Sequence, residues 1–505
     1  MRRSGLLLHV TSLPSPGGIG DLGRGALEFA DFLHAAGQRL WQMLPLNPTG
    51  YGDSPYQSFS AFAGNFLLLS LDDLRDQGLL AARDLEAGDF PAGTVGFERV
   101  IPHKTALLRR AAAEFFAHAS AADRRAFDAF CQTHASWLDD FALFMAAKEA
   151  RRLVTWTEWE APLRRRDPAA LARERDLRAA DIAVHKFWQF EFFRQWQRLR
   201  AACRERGIAL MGDIPIYVAH DSADVWGRQE MFQLRPDGRP SVVSGVPPDY
   251  FSSTGQLWGN PIYRWDVLRD EGYRWWVERV RAAFAAFDLV RIDHFRGLEA
   301  YWEVPGGETT AIRGRWVKGP GTGLFRALQR ELGELPIVAE NLGVITPEVE
   351  ALRHEFHFPG MAILQFAFGI DKQAPTFRPH NYVRDLVAYT GTHDNDPAVG
   401  WWTSSGAADS VRTPEDVRRE HEFAAAYLRL GPGEEINWAL IRTVLASVAD
   451  TVIIPVQDLL GLGSGARMNL PGRLQGNWRW RCPPGALTPD LAARLKTLAA
   501  LYERS

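Results

Sequence analysis

Three carboxylates stand in settings that suit proton transfer and attack at an electrophilic carbon. Asp293 lies in VRIDHFRG, Glu340 in IVAENLG and Asp394 in GTHDND. Cleaving an acetal requires an acid that protonates the leaving oxygen. It also requires an anion beside the carbon that gains positive charge. Two carboxyl groups held in different protonation states meet both needs. Arg291 precedes Asp293 by two residues, so on a strand the two side chains point the same way. The guanidinium then holds Asp293 ionised. Glu340 follows the apolar triplet IVA, and burial there raises its pKa towards that of a usable acid. Asp394 with His393 offers a grip for hydroxyl groups or a stabiliser for a developing cation. Each residue also has a plain structural reading: an ion pair for Asp293, a helix-cap neighbour for Glu340, a turn for HDND. Their placement along the chain favours the chemical reading.

That placement comes from the elements that carry them. Short apolar runs begin at Gly5 (GLLLHV), Leu40 (LWQMLPL), Gly207 (GIALMGDIPIYV), Phe287 (FDLVRIDHF) and Leu335 (LPIVAENLG). Three more begin at Met361 (MAILQFAF), Leu386 (LVAYTGTHDND) and Thr451 (TVIIPVQDLL). Helix-period stretches separate most of them. Strands buried on both faces and alternating with helices predict parallel βα units. Eight units predict an α/β fold of the (β/α)8 TIM-barrel type. Asp213, Asp293, Glu340 and Asp394 each sit at the C-terminal end of a run. In a parallel barrel those ends share one face, where active sites are built.

The spacing of the runs is uneven, which predicts insertions in a single catalytic domain over 1–505. A mainly helical insertion is expected over about 66–200, after the second strand. Its last helix carries Trp188, Phe192, Trp196 and Leu199 at helical spacing, a stripe better explained by core packing than by a sugar platform. The stretch 217–265 is rich in Gly, Pro, Ser and Trp without clear periodicity. It is read as an active-site loop insertion on the C-terminal face.

Composition narrows the function classes. The 505 residues are 46% hydrophobic, enough for a large core, and 58 basic against 61 acidic residues leave a net charge of −3. The most basic stretch, near Arg164 to Arg178, is interleaved with Asp and Glu, so it reads as a solvated helix face and not as a nucleic-acid site. Three dispersed cysteines give neither a disulfide framework nor zinc spacing. The apolar run near the N-terminus is too short for a signal peptide, and no run reaches the ~20 residues of a membrane helix. A cytoplasmic protein without membrane or nucleic-acid partners is expected. GIGDLG, with Gly18, Gly20 and Gly23, matches G-x-G-x-x-G but follows its strand too late, behind Pro14 and Pro16, for a dinucleotide site. HEFH, with His354 and His357, lacks metalloprotease spacing. No cofactor or metal is expected.

Beyond these residues, the sequence resembles glycoside hydrolase family 77, the disproportionating 4-α-glucanotransferases, from end to end. The resemblance is carried by TSLPSPGGIGDLG from Thr11, TGYGDSPYQSFSAFAGN from Thr49, GDIPIYVAHDSADVW from Gly212 and VPPDYFSSTGQLWGNPIYRW from Val246. RIDHFRG, GPGTGLFRAL, VAENLG, TGTHDND and RMNLPGRLQGNWRWR continue it. It implies a retaining mechanism on α-1,4-glucans, which serve as donor and acceptor, with glucose also an acceptor. Asp293 falls at the family's nucleophile, Glu340 at its acid/base and Asp394 at its transition-state stabiliser. Arg291 matches the arginine that steadies the nucleophile, and His393 matches a histidine contacting the glucose at the cleavage point. Asp213 matches an aspartate that organises the site. Asp249 and the loop to Trp258, including Tyr250 and Phe251, match a lid. Tyr51 and Asp53 match part of the donor-side wall, and His294 joins the substrate contacts. Asn341 stands where Asp is common and Pro397 where Thr is common. Phe97 stands where a tyrosine often contacts glucan outside the main cleft. A glucan hydrolase using the same carboxylates, and a non-catalytic glycan-binding barrel, are the alternatives.

Overall fold

The computed structural model describes residues 2–86, 88–248, 253–406, 413–473 and 475–505. In chain order its strands are β1 (Arg3–Leu7), β2 (Leu40–Gln42), β3 (Ala209–Pro215), β4 (Val242–Val246), β5 (Gln256–Pro261) and β6 (Leu289–Asp293). They continue with β7 (Ala300–Pro305), β8 (Arg315–Lys318), β9 (Ile337–Ala339), β10 (Gly360–Ile363), β11 (Leu386–Tyr389) and β12 (Thr451–Pro455).

Eight of them form one parallel sheet in the order β10-β11-β12-β1-β2-β3-β6-β9. Each corresponds to one of the eight apolar runs. The ends of this sheet meet: the Ala339 N–H donates to the Pro359 carbonyl at 2.9 Å. Beside it, the Asn341 side-chain oxygen accepts from the Met361 N–H at 2.8 Å, while its amide donates to Glu350 at 2.7 Å. The result is a (β/α)8 barrel. Its strands are mostly apolar because the barrel interior lies on one side and the helices on the other; all of β12 is buried. Some interior positions are polar but paired. The buried Tyr389 hydroxyl on β11 donates to the Gln42 side chain on β2 at 2.9 Å.

Between β2 and β3 the chain makes helices over Leu71–Asp76, Phe97–His118, Ala121–Thr133, Ala135–Ala150, Ala161–Arg164, Pro168–Leu177 and Ala179–Glu205. The last is the barrel's own helix before β3. Its Trp188, Phe192, Trp196 and Leu199 are all buried, and the Trp196 ring lies edge-on to Phe287 at 5.3 Å. This stripe is core.

The interval read as a loop insertion is partly strand. β4 and β5 pair antiparallel within it and join β7 and β8 in a second sheet, order β5-β4-β7-β8. Short strands broken by Gly and Pro carry no alternation that a periodicity reading could detect. GIGDLG also has a local purpose. The Asp21 carboxylate occupies its centre, accepting from the Ser15 hydroxyl at 2.6 Å and the Gly23 N–H at 3.0 Å. Gly18 has φ +79°, and a Cβ there would meet the Phe90 ring at 2.5 Å.

Candidate active site

β6 and β9 are neighbours, with Ile292 opposite Ala339. One step further along each strand stand Asp293 and Glu340. The Glu340 N–H still donates to the Ile292 carbonyl at 3.1 Å, so the ladder itself holds the two carboxylates side by side. The chain then turns sharply at His294, whose φ of 53° lies in the left-handed region that a non-glycine residue seldom adopts. The turn aims the His294 N–H at Glu340 Oε2, at 2.7 Å, and the Leu342 N–H meets Oε1 at 3.0 Å. Burial, reinforced by the charge of Asp293, pushes the Glu340 carboxyl up to about 7 against the pull of Arg291 and the two N–H groups.

Arg291 is buried in the barrel mouth and forks between two aspartates. One nitrogen donates to Asp293 Oδ1 at 2.7 Å and the other to Asp213 Oδ2 at 2.6 Å. Burial lifts Asp213 to about 6 even so, because the single cation is shared with Asp293. Asp213 Oδ2 also accepts from the Tyr56 hydroxyl at 2.8 Å. The Tyr56 ring stacks on His393, with centroids 5.3 Å apart and planes 13° apart, and Trp478 lies 5.8 Å away. Tyr56 thereby links the Arg291 cluster to the third carboxylate. His393 Nε2 lies 3.4 Å from Asp394 Oδ1.

Two further elements fix the Asp394 loop. Asn469 donates to Asp394 Oδ1 at 2.6 Å, and the Arg467 guanidinium donates to the Asp394 carbonyl at 2.5 Å. From the segment after β12, buried Asp458 accepts from the Thr390 hydroxyl at 2.5 Å and the Ala398 N–H at 2.7 Å. It thus grips both ends of the loop. Pro397, the residue before Ala398, caps the helix Ala398–Thr403.

The structure therefore brings Asp213, Arg291, Asp293, His294 and Glu340 together, with His393 and Asp394 joined through Tyr56. Trp258 stands at the lip, edge-on to His294 at 4.6 Å. The His294 imidazole is buried and burial depresses its pKa to about 3, so it is neutral. Tyr51 and Asp53 are placed differently. Tyr51 is 71% exposed on the turn Tyr51–Asp53, and Asp53 faces the charges of Arg479 and Glu98. Neither bonds to the three carboxylates. Asp249, with Tyr250 and Phe251, lies outside the described residues. Phe97 is buried at the start of its helix and offers no ring to the surface.

Tyr56, Arg467, Asn469 and Trp478 were not singled out by the sequence reading. Tyr56 lies in the same segment as Tyr51 and Asp53, but its partner is 157 residues away. No local pattern announces such a contact. Among the described residues, no group of three His, Cys, Asp or Glu side chains is arranged to hold a metal ion, and no helix is long and apolar enough to cross a membrane.

Known proteins are similar to this chain in sequence and in shape. Residues 8–488 match the glycoside hydrolase family 77 model, described as 4-alpha-glucanotransferase. The chain is 51% identical to the 4-alpha-glucanotransferase of Thermus thermophilus, covering 100% of this chain and 99% of the relative. It is 49% identical to that of Synechocystis sp., covering 100% and 98%. The solved amylomaltase from Streptococcus agalactiae in complex with acarbose superposes with a TM-score of 0.94 at 39% identity over 100% of both chains. With its barrel, its paired carboxylates and these full-length matches, the chain belongs to glycoside hydrolase family 77, the 4-alpha-glucanotransferases.

Proposed function

We propose that this enzyme transfers a segment of an α-1,4-glucan to the 4-hydroxyl of another glucan, or of glucose, by retaining double displacement. The observation that carries the reading is the contrast between two neighbouring carboxylates. Asp293 is held by Arg291 at 2.7 Å, whereas Glu340 is buried and raised to about 7. Adjacent strands lie ~4.8 Å apart, which suits the ~5–5.5 Å carboxyl separation of retaining enzymes.

In the first step Asp293 attacks the anomeric carbon through Oδ2, since Oδ1 is engaged by Arg291. The bond from that carbon to the glycosidic oxygen breaks. Glu340 gives its proton to the departing oxygen, and the reducing-end fragment leaves as an alcohol. Glu340 is then an anion, and its two backbone N–H donors stabilise it in that state. In the second step the 4-hydroxyl of the acceptor attacks the same carbon and yields its proton to Glu340. The ester bond to Asp293 breaks, and the α configuration is restored. Asp394, oriented by Asn469, serves the oxocarbenium-like states between. His393 and Asp394 together offer polar atoms to the donor sugar. Asp213 and Tyr56 keep Arg291 in place and do not enter the chemistry. The names of the relatives support glucan transfer, and Trp258 over His294 supports a covered site that favours a sugar acceptor over water.

Product analysis after incubation with pure maltotriose tests the proposal. Glucose together with maltopentaose and longer chains is expected. Glucose and maltose alone would mean that water is the acceptor and would overturn transfer.

A further inference from the structure

Two backbone N–H groups grip the Glu340 carboxyl, and they come from two different turns. The His294 N–H belongs to the turn after Asp293, and the Leu342 N–H to the turn after Glu340 itself. The first turn supports itself. The Phe295 N–H donates to the Glu340 carbonyl at 3.1 Å, and the Gly297 N–H donates to the His294 carbonyl at 3.0 Å. The second turn does not. It bends at Gly343, where φ is +84° and a Cβ would meet nothing within 4 Å. Val344 beyond it is 50% exposed. Among the described residues, one hydrogen bond reaches Gly343, Val344 or Ile345. It comes from the Arg296 guanidinium, which donates to the Val344 carbonyl.

We infer that Arg296 is a positioning residue for the acid/base: it fastens the Leu342 turn to the His294 turn, so that Glu340 keeps both donors while it gives up and regains its proton. This rests on the reading of Glu340 as the acid/base. Arg296 starts on the first turn, two residues after His294, and is only 5% exposed. Its Nε donates to the Ala300 carbonyl, at the start of β7, at 3.4 Å. Its guanidinium lies over the ring of Trp316 on β8, 3.8 Å from the centroid. Trp302 of β7 meets that ring edge-on at 5.3 Å. The second sheet therefore backs the tie from behind. No carboxylate pairs with Arg296 among the described residues, and the nearby Glu299 pairs with Lys318. The rigid fork of donors goes to carbonyls instead, so Arg296 acts on the chemistry only through the turn that it holds. The grip matters most while Glu340 is an anion, between the two displacement steps. A hydrogen bond to a charged acceptor is roughly twice as strong as one to a neutral group. If the Leu342 turn drifts, the anion loses one of its two donors, and the carboxyl holds its proton more tightly.

The test is the pH dependence of kcat/KM for maltotriose in the full-length wild-type and Arg296→Met enzymes, with the urea midpoint measured beside it. Methionine keeps most of the volume and removes every donor. The alkaline limb, set by Glu340 at about 7, is expected to move up by about one pH unit, the scale of one hydrogen bond to a carboxylate. At neutral pH kcat should fall at least about tenfold, because the acid is misplaced as well as weakened. Arg296→Lys, which keeps a cation and a donor, should restore part of both. A merely structural role lowers the urea midpoint and leaves the limb in place, and that result overturns the inference. A limb that moves down also overturns it, since Arg296 would then serve to keep water from Glu340 and not to hold the donor. If Arg296→Met does not fold, Trp316→Leu, at a ring 39% exposed, removes the surface on which the guanidinium rests. It should raise the limb by a smaller amount, and an unmoved limb there overturns the inference equally. A wild-type profile with no alkaline limb overturns the acid/base reading itself. A wild-type limb at about 7 that Arg296→Met leaves in place overturns the role of Arg296 alone.

Discussion

At the scale of single residues, the assignment of Glu340 has a definite sign. Its carboxyl sits above its ordinary value of 4.5, at about 7, because burial outweighs Arg291 and the backbone donors. In the proposed acid role, the proton that Glu340 donates is present below about 7 and lost above it. We expect kcat/KM for maltotriose to fall as pH rises through that value. Glu340→Gln should bind glucan but turn over about 10²–10⁴-fold more slowly or worse, and its residual activity should lose the alkaline limb. Near-normal turnover, or an alkaline limb that persists in the variant, would remove Glu340 from the acid/base role. Trp258 offers a separate check. Its ring covers His294 at 4.6 Å, so Trp258→Ala should admit water and raise the ratio of glucose released by hydrolysis to glucan transferred several-fold. An unchanged ratio would mean that this ring does not govern water access. Asp293, Glu340 and Arg291 were legible in the sequence because each follows or sits within an apolar run. Tyr56 was not, because its role arises only when β3 and the segment after β2 are brought together.

At the scale of elements, the site depends on loops that are tied down from outside. The segment carrying His393 and Asp394 is held at both ends by one buried side chain, Asp458. Asp458→Ala leaves the Thr390 hydroxyl and the Ala398 N–H without their acceptor. We expect a loss of about 1–3 kcal/mol of stability in urea denaturation. A roughly tenfold to hundredfold fall in kcat should accompany it, since small misplacements of reacting groups are costly. Asp458→Asn, which keeps one acceptor, should fall between. If kcat is unchanged while stability drops, Asp458 is structural only. This tie was not legible beforehand, although TVIIPVQDLL reads as a strand. An aspartate after a strand gives no indication of which neighbouring loop it will reach. The second sheet was illegible for a different reason: β4 and β8 are short, and Gly245 interrupts the alternation that would mark β4. Asn341 shows how a departure from a family pattern is absorbed. Its amide joins β9 to the start of β10 and also donates to Glu350, a donation that an aspartate could not make.

At the scale of the whole molecule, the barrel requires the first strand to meet the last. β1 pairs with β12, Arg3 opposite Thr451. The eight strands were countable in the sequence because both their faces are apolar, but closure was not, since no local pattern encodes which edges meet. The structure shows what secures this seam. Arg504, near the C-terminus, is 0% exposed, and its guanidinium donates to the carbonyls of Leu445 at 2.6 Å and Ser447 at 2.8 Å. It also reaches the carbonyls of Arg3 at 3.4 Å and Asp450 at 3.5 Å. Four carbonyls from the two ends of the chain thus converge on one cation, which burial depresses to about 10 and which therefore stays charged at neutral pH. Arg504→Met keeps most of the volume and removes every donor. The carbonyls then remain buried without partners, at an expected loss of about 2–5 kcal/mol. The urea midpoint should fall accordingly, while kcat of the folded enzyme should hold, because none of these groups approaches the carboxylates. A midpoint unchanged by Arg504→Met would show that strand pairing alone secures the seam. A fall in kcat with an unchanged midpoint would show that the seam reaches the active site through β1 and not through stability.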